Sequence, residues 1–166
     1  FLLAGDSCRA DDEKPIITSG TDFSFSVNEP SGWKGDSSEA VRKVDANIVL
    51  SKGNSFQTSS DPLIRVRINR TSDHQPQKDL DADLEEYRQK YPDTKFRNLE
   101  VTHDGWTCAA KDIAGKFFFH LIAYCDPGEG KFVFSVSLKK SAPVSVGEMR
   151  AFRGVVRSLR VLEVEE

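Results

Sequence analysis

Cys108, His103 and His120 are the residues whose types could do chemistry together. Cys108 closes the run DGWTC, and His120 lies inside KFFFHLIAYC, residues 116–125. An imidazole beside a thiol can take its proton and leave a thiolate nucleophile. The same groups could begin a zinc site, but zinc wants three or four ligands at recognisable spacings. The chain has no C-x-x-C and no histidine pair at helical spacing. The plainer expectation is a small buried thiol beside a core histidine, with no metal and no cofactor.

Whether these groups meet depends on strand register. Asp104-Gly105 reads as a two-residue hairpin turn and Ile113-Ala114-Gly115 as a three-residue turn with Gly in the left-handed position. Residues 126–130, DPGEG, make a third turn. Four strands at about 96–103, 106–112, 116–125 and 131–139 would then form a meander. In that register His103 faces Trp106, and Cys108 faces Val101 and His120. Cys125 would lie roughly 13–20 Å along the strand from the point opposite Cys108, at about 3.3 Å per residue. A disulfide needs Cα atoms within about 7 Å. The register therefore predicts that Cys108 and Cys125 stay unbridged. It also places Phe117, Phe119 and Leu121 as an apolar spine on the more polar face, where a helix or a partner would cover them.

Upstream, Thr21–Val27 alternates with Phe23, Phe25 and Val27 on one side, and 46–51 and 63–69 continue as strands. A helix runs from a cap at Asp79 to Tyr91, with a stripe of Leu80, Leu84, Tyr87 and Tyr91. The last helix starts at Ser145, where Glu148 completes a capping box. Met149, Phe152, Val155, Val156 and Leu159 form its apolar stripe. Arg150, Arg153, Arg157 and Arg160 share its opposite face, as a contact for an acidic partner, anionic lipid or phosphate, or simply as solvated surface. Asp79, Asp81, Asp83, Glu85 and Glu86 lack the Gly and ligand ladder of a calcium loop and read as surface matched to the helix dipole. Asn69-Arg70-Thr71 is a sequon, relevant only in a eukaryotic secretory host.

The elements add up to one α+β domain: an antiparallel sheet of about seven strands, three before the helix and four after, with helices on its faces. A length of 166 residues with 38% hydrophobic and 30% charged content suits that. The formal net charge of −3 offers no global case for nucleic acid. The longest apolar run is too short for a spanning helix of about 20 residues, so no transmembrane segment is expected. Phe1–Ala4 resembles the end of a signal-peptide apolar region, with Cys8-Arg9-Ala10 as its cleavage site. Residues 1–10 then form a signal-peptide remnant, 11–20 a leader arm and 21–166 the domain, and the location is periplasmic or secreted. A lipid anchor through Cys8 is the other reading, disfavoured by Gly5 and Asp6.

The layout, with "FSVNEPSGW", "DGWTCAAKD", "KFFFHLIAY" and a final "FRGVVRSLRVL", resembles the PsbP-like family over about residues 20–162. That resemblance implies an antiparallel sheet sandwiched by helices, no enzymatic activity, and a role in assembly or partner binding. Phe23, Phe25 and Trp33 would be its aromatic anchors. The function expected is an exported, non-catalytic binding, assembly or adaptor protein of the bacterial cell envelope with a protein partner. The alternatives are a small-molecule or metal-binding enzyme using His103, Cys108 and His120, and a chaperone for apolar segments using the face at 117–121.

Overall fold

Period-two alternation of apolar and polar side chains lays down most of this molecule as antiparallel sheet. The computed structural model describes residues 14–53, 55–57, 62–70, 75–128 and 132–163. The expected signal-peptide remnant, Cys8 included, lies outside them. The strands are Pro15–Ser19 (β1), Ser24–Asn28 (β2), Lys34–Asp36 (β3), Ile48–Ser51 (β4), Ile64–Arg70 (β5), Lys95–Asn98 (β6), Thr107–Ala114 (β7), Phe119–Asp126 (β8), Phe132–Lys140 (β9) and Arg160–Val161 (β10). The helices are Pro76–Lys90 (α1) and Val146–Ser158 (α2), with a short 3₁₀ segment at Glu39–Val44.

Among the described residues, seven strands form the main sheet in the order β3-β4-β5-β9-β8-β7-β6, and β1-β2-β10 form a second, small one. The fold is α+β, as expected, with two differences in the strand set. The expected first strand belongs to the small sheet. The second half of the leader arm is itself β1, paired along its length with β2. Its two isoleucines sit among polar residues, so its own sequence carries little strand signal. The main sheet reaches seven by adding β3, three residues from a charged segment that carries no periodicity.

One face of the main sheet holds the principal core. Ile48, Leu50, Ile64, Val66, Leu121, Ala123, Val136 and Leu138 meet Phe152, Val155, Val156 and Leu159 of α2 and Phe25 and Val27 of β2. Phe25 stands edge-on to Phe134 with ring centroids 4.9 Å apart, a favoured aromatic geometry. The opposite face is covered in two places. α1 sets Leu80 and Leu84 on Ile113 and Ile122, and the 3₁₀ segment sets Val41 on Val49. α1 begins at Pro76, three residues before the expected cap, because proline is pre-set for the first helical position.

The β6–β7 pairing keeps the expected register, with Phe96 opposite Ile113, but the β7–β8 register departs from the expected one. Cys108 lies opposite Cys125, not His120, and Ala114 opposite Phe119. The two cysteines form a disulfide with Cα atoms 4.1 Å apart, against the expectation of unbridged thiols. The error lies in the turn. Gly115 is not in a left-handed conformation. A Cβ there would sit 2.2 Å from the Phe118 ring, so this glycine makes room for a ring rather than a tight bend. The turn is centred two residues later, closed by the Gly115 N–H donating to the Phe118 carbonyl at 2.9 Å. The resulting displacement is an odd number of residues, so every β8 side chain changes face.

The disulfide links residues 17 apart, a loop whose closure stabilises by about 3 kcal/mol on chain-entropy grounds. The Cys108→Ala/Cys125→Ala double variant should lose about 2–4 kcal/mol of unfolding free energy. Urea unfolding of the oxidised parent and the variant measures this, and thiol titration of the parent should find both cysteines blocked.

Candidate functional site

Helix α2 builds one wall of a concave feature. Its start is fixed by a capping box: Glu148 N–H donates to Ser145 Oγ at 3.1 Å, and Ser145 N–H to Glu148 Oε2 at 2.8 Å. Glu148 is buried, 3% exposed, and also accepts from Lys140 Nζ at 2.8 Å and Lys52 Nζ at 3.4 Å. Burial pushes its carboxyl up, but these donors outweigh that and hold it below the usual carboxylate range. One side chain thus ties α2 to the ends of β9 and β4.

Facing α2 is the turn after β2. Gly32 takes φ +79°, and the Trp33 N–H donates to the Pro30 carbonyl at 2.9 Å. Trp33 is driven inward to 5% exposure, with Lys52 Nζ 5.5 Å from its ring centroid. Between turn and helix lies a groove of about 1050 Å³, lined by Trp33, Lys52, Gly147, Arg150, Gly154 and Arg157 among others.

Three of the four arginines singled out from the sequence therefore converge. Arg150, Arg153 and Arg157 are exposed along the groove. Arg153 Nε donates to the Glu100 carbonyl at 3.0 Å. Among the described residues no carboxylate pairs with Arg150 or Arg157. Arg160 falls outside the set. The helix ends at Ser158, and Arg160 turns back to donate to the Arg157 and Leu159 carbonyls at 2.9 and 2.7 Å. The groove side of α2 is bare at Gly147 and Gly154. A Cβ on Gly154 would meet nothing within 4 Å, so no packing contact demands a glycine there.

No family model matches this chain, and no curated protein does. Among solved structures it is similar to cyanobacterial PsbP (CyanoP) from Synechocystis sp. PCC 6803, at 15% identity and TM-score 0.54, over 95% of this chain and 98% of that one. The fold is PsbP-like. At this identity the likeness extends to the fold alone.

The PsbP-like fold does not assemble the expected reactive trio. Cys108 is consumed in the disulfide. His120 faces α1, where its Nδ1 is hydrogen-bonded to the Tyr87 hydroxyl at 2.6 Å. His103 stays on the α2 side, stacked on Trp106 with centroids 4.2 Å apart and its Nε2 2.8 Å from the Leu159 carbonyl. Among the described residues no group of three or more acidic, histidine or cysteine side chains could hold a metal.

The expected apolar spine does not form either. Leu121 is fully buried in the principal core, and Phe119 is half-buried. Phe117 sits in the turn, 74% exposed. The flip of β8 sends Leu121 beneath α2 and leaves no continuous strip at 117–121.

α1 and β8 exchange phenols. The Tyr87 hydroxyl of α1 bonds to the His120 ring, and Tyr124 of β8 donates to Asp83 at 2.6 Å. Burial, then Asp83 and Glu86, push the Tyr87 phenol up to about 12. Burial raises Asp83 despite its bond from Tyr124. Lys139 Nζ lies 5.6 Å from the Tyr87 ring and 5.1 Å from that of Phe118. Neither tyrosine–acceptor pair was visible in the sequence, where Tyr87 read only as part of an apolar stripe.

Burial, then the Lys139 and Arg65 charges, lower His120 from 6.5 to about 4. The fold prefers the neutral ring. Its contribution is complete above about pH 6.5 and is lost as pH falls towards 4. Between those values the stability of His120→Asn should fall less with acid than that of the parent, measured by urea unfolding at each pH. Gly154→Ala should raise stability by about 0.5–1 kcal/mol, through helix propensity and a less mobile unfolded chain, as a shift of the urea midpoint.

Proposed function

We propose that this chain is an exported, non-catalytic binding or assembly protein of the bacterial cell envelope that works through the α2 groove. The observation that carries the reading is the pair of arginines, Arg150 and Arg157, set in a concavity over Trp33 without acidic partners. Guanidinium groups that only decorate a surface need no groove. Here the helix turns its glycines and its arginines towards the same cavity.

One further observation supports the exported location. A disulfide between core strands is a feature of proteins that mature in oxidising compartments. No helix among the described residues is long and apolar enough to cross a membrane. The PsbP-like fold is consistent with the expected binding role. The enzyme alternative has lost its constellation, and the chaperone alternative its apolar strip.

A photo-crosslinking residue placed at Arg153, which lines the groove, should give a discrete protein adduct in envelope extract. The same probe at Phe117, on the β7–β8 turn, should give none. The adduct should disappear when Arg150→Glu and Arg157→Glu are added. Adducts at Phe117 alone, or adducts indifferent to the two charge reversals, would remove the groove as the contact.

A further inference from the structure

We infer that the groove receives an acidic segment of a partner protein, gripped by Arg150 and Arg157 with an apolar side chain seated between them. This rests on the binding reading above and names its ligand chemistry. The two guanidinium-bearing positions are seven residues apart on α2 and share a face, about 10 Å along the axis at 1.5 Å per residue. Guanidinium forks match carboxylates in geometry as well as charge. Two carboxylates about 10 Å apart would therefore complete the charges this helix leaves unpaired.

Beside Arg153, the space between the two arginines leaves room for a side chain. Between them Gly154 leaves the helix surface bare, and a Cβ added there would meet nothing within 4 Å. Trp33 and Met149 line the groove, and Val146 at its edge is 79% exposed. An apolar residue of the partner seated in the groove would shed water from Trp33 and Met149.

Concavity separates a protein segment from the other anionic surfaces. The headgroup plane of a bilayer favours a flat or convex cationic face, whereas these arginines line a concavity. A nucleic acid duplex presents a charge about every 1.7 Å and rewards a longer basic track than three arginines. The chain as a whole is acidic, at −3, so a diffuse positive field is not what attracts the ligand.

The probe is a fluorescein-labelled dodecapeptide with two glutamates flanking a leucine, titrated with the full chain and followed by anisotropy. The expected result is saturable binding that is lost when the peptide glutamates become glutamine. It should weaken at least tenfold in Arg150→Glu/Arg157→Glu and also in Gly154→Leu, which fills the groove without changing charge. Arg88→Glu/Lys116→Glu, an equal charge change remote from the groove, should bind as the parent does. Urea unfolding of each variant checks that it is folded. Equal weakening by the remote pair, or full binding by Gly154→Leu, would show general electrostatic attraction and overturn the inference. Binding to phosphatidylglycerol vesicles but not to the peptide would overturn it in favour of a membrane. Failure of the peptide while the Arg153 crosslink persists would reject the acidic ligand and leave the groove itself as the contact.

Discussion

The pairing of Cys108 with Cys125 is the constraint on which the rest of the architecture depends. It sets the register of β7 on β8, and a sheet has only two faces. With Cys125 opposite Cys108, the side chains of Leu121 and Ala123 enter the core beneath α2. His120, Ile122 and Tyr124 are then delivered to α1. Any odd displacement would send a histidine and a tyrosine into the apolar core and an apolar row towards α1, whose own side chains offer Asp83 and Tyr87 as polar partners. The phenol exchange between α1 and β8 would be lost in any such displacement.

A second tie holds the groove in shape. Glu148 caps its own helix, and its buried carboxylate receives ammonium groups from Lys140 at the end of β9 and Lys52 just after β4. A carboxylate taken out of water is tolerable only with such donors. The same contact brings Lys52 over Trp33, which lines the groove. α2 thus has three distinct sides: an apolar one under the sheet, a capped and ion-paired start, and a bare cationic side facing the turn after β2.

Where local signals were strong, the sequence reading and the structure agree. The capping box at Ser145, the stripe of Phe152, Val155, Val156 and Leu159, and the strands at 48–51 and 64–70 all rest on interactions between near neighbours. The arginine face was also legible, because its spacing is a property of one helix. The turn at Gly115 misled because glycine has two uses. A left-handed turn and a ring packed against bare backbone both need one, and only the position of Phe118 tells them apart. β1 and β3 were missed because each owes its structure to a partner strand and not to its own pattern.

Composition, period and capping chemistry therefore determined the class of fold, the helices, most of the strands and the cationic face of α2. Tertiary structure alone decided that Cys108 meets Cys125, that His103 and His120 lie on different faces, and that Trp33 is carried opposite Arg150 and Arg157. The physical reason is one of range. Helix faces and caps are written within a few residues, whereas register, disulfide pairing and a groove between a turn and a helix are settled only when distant segments compete for the same buried surface.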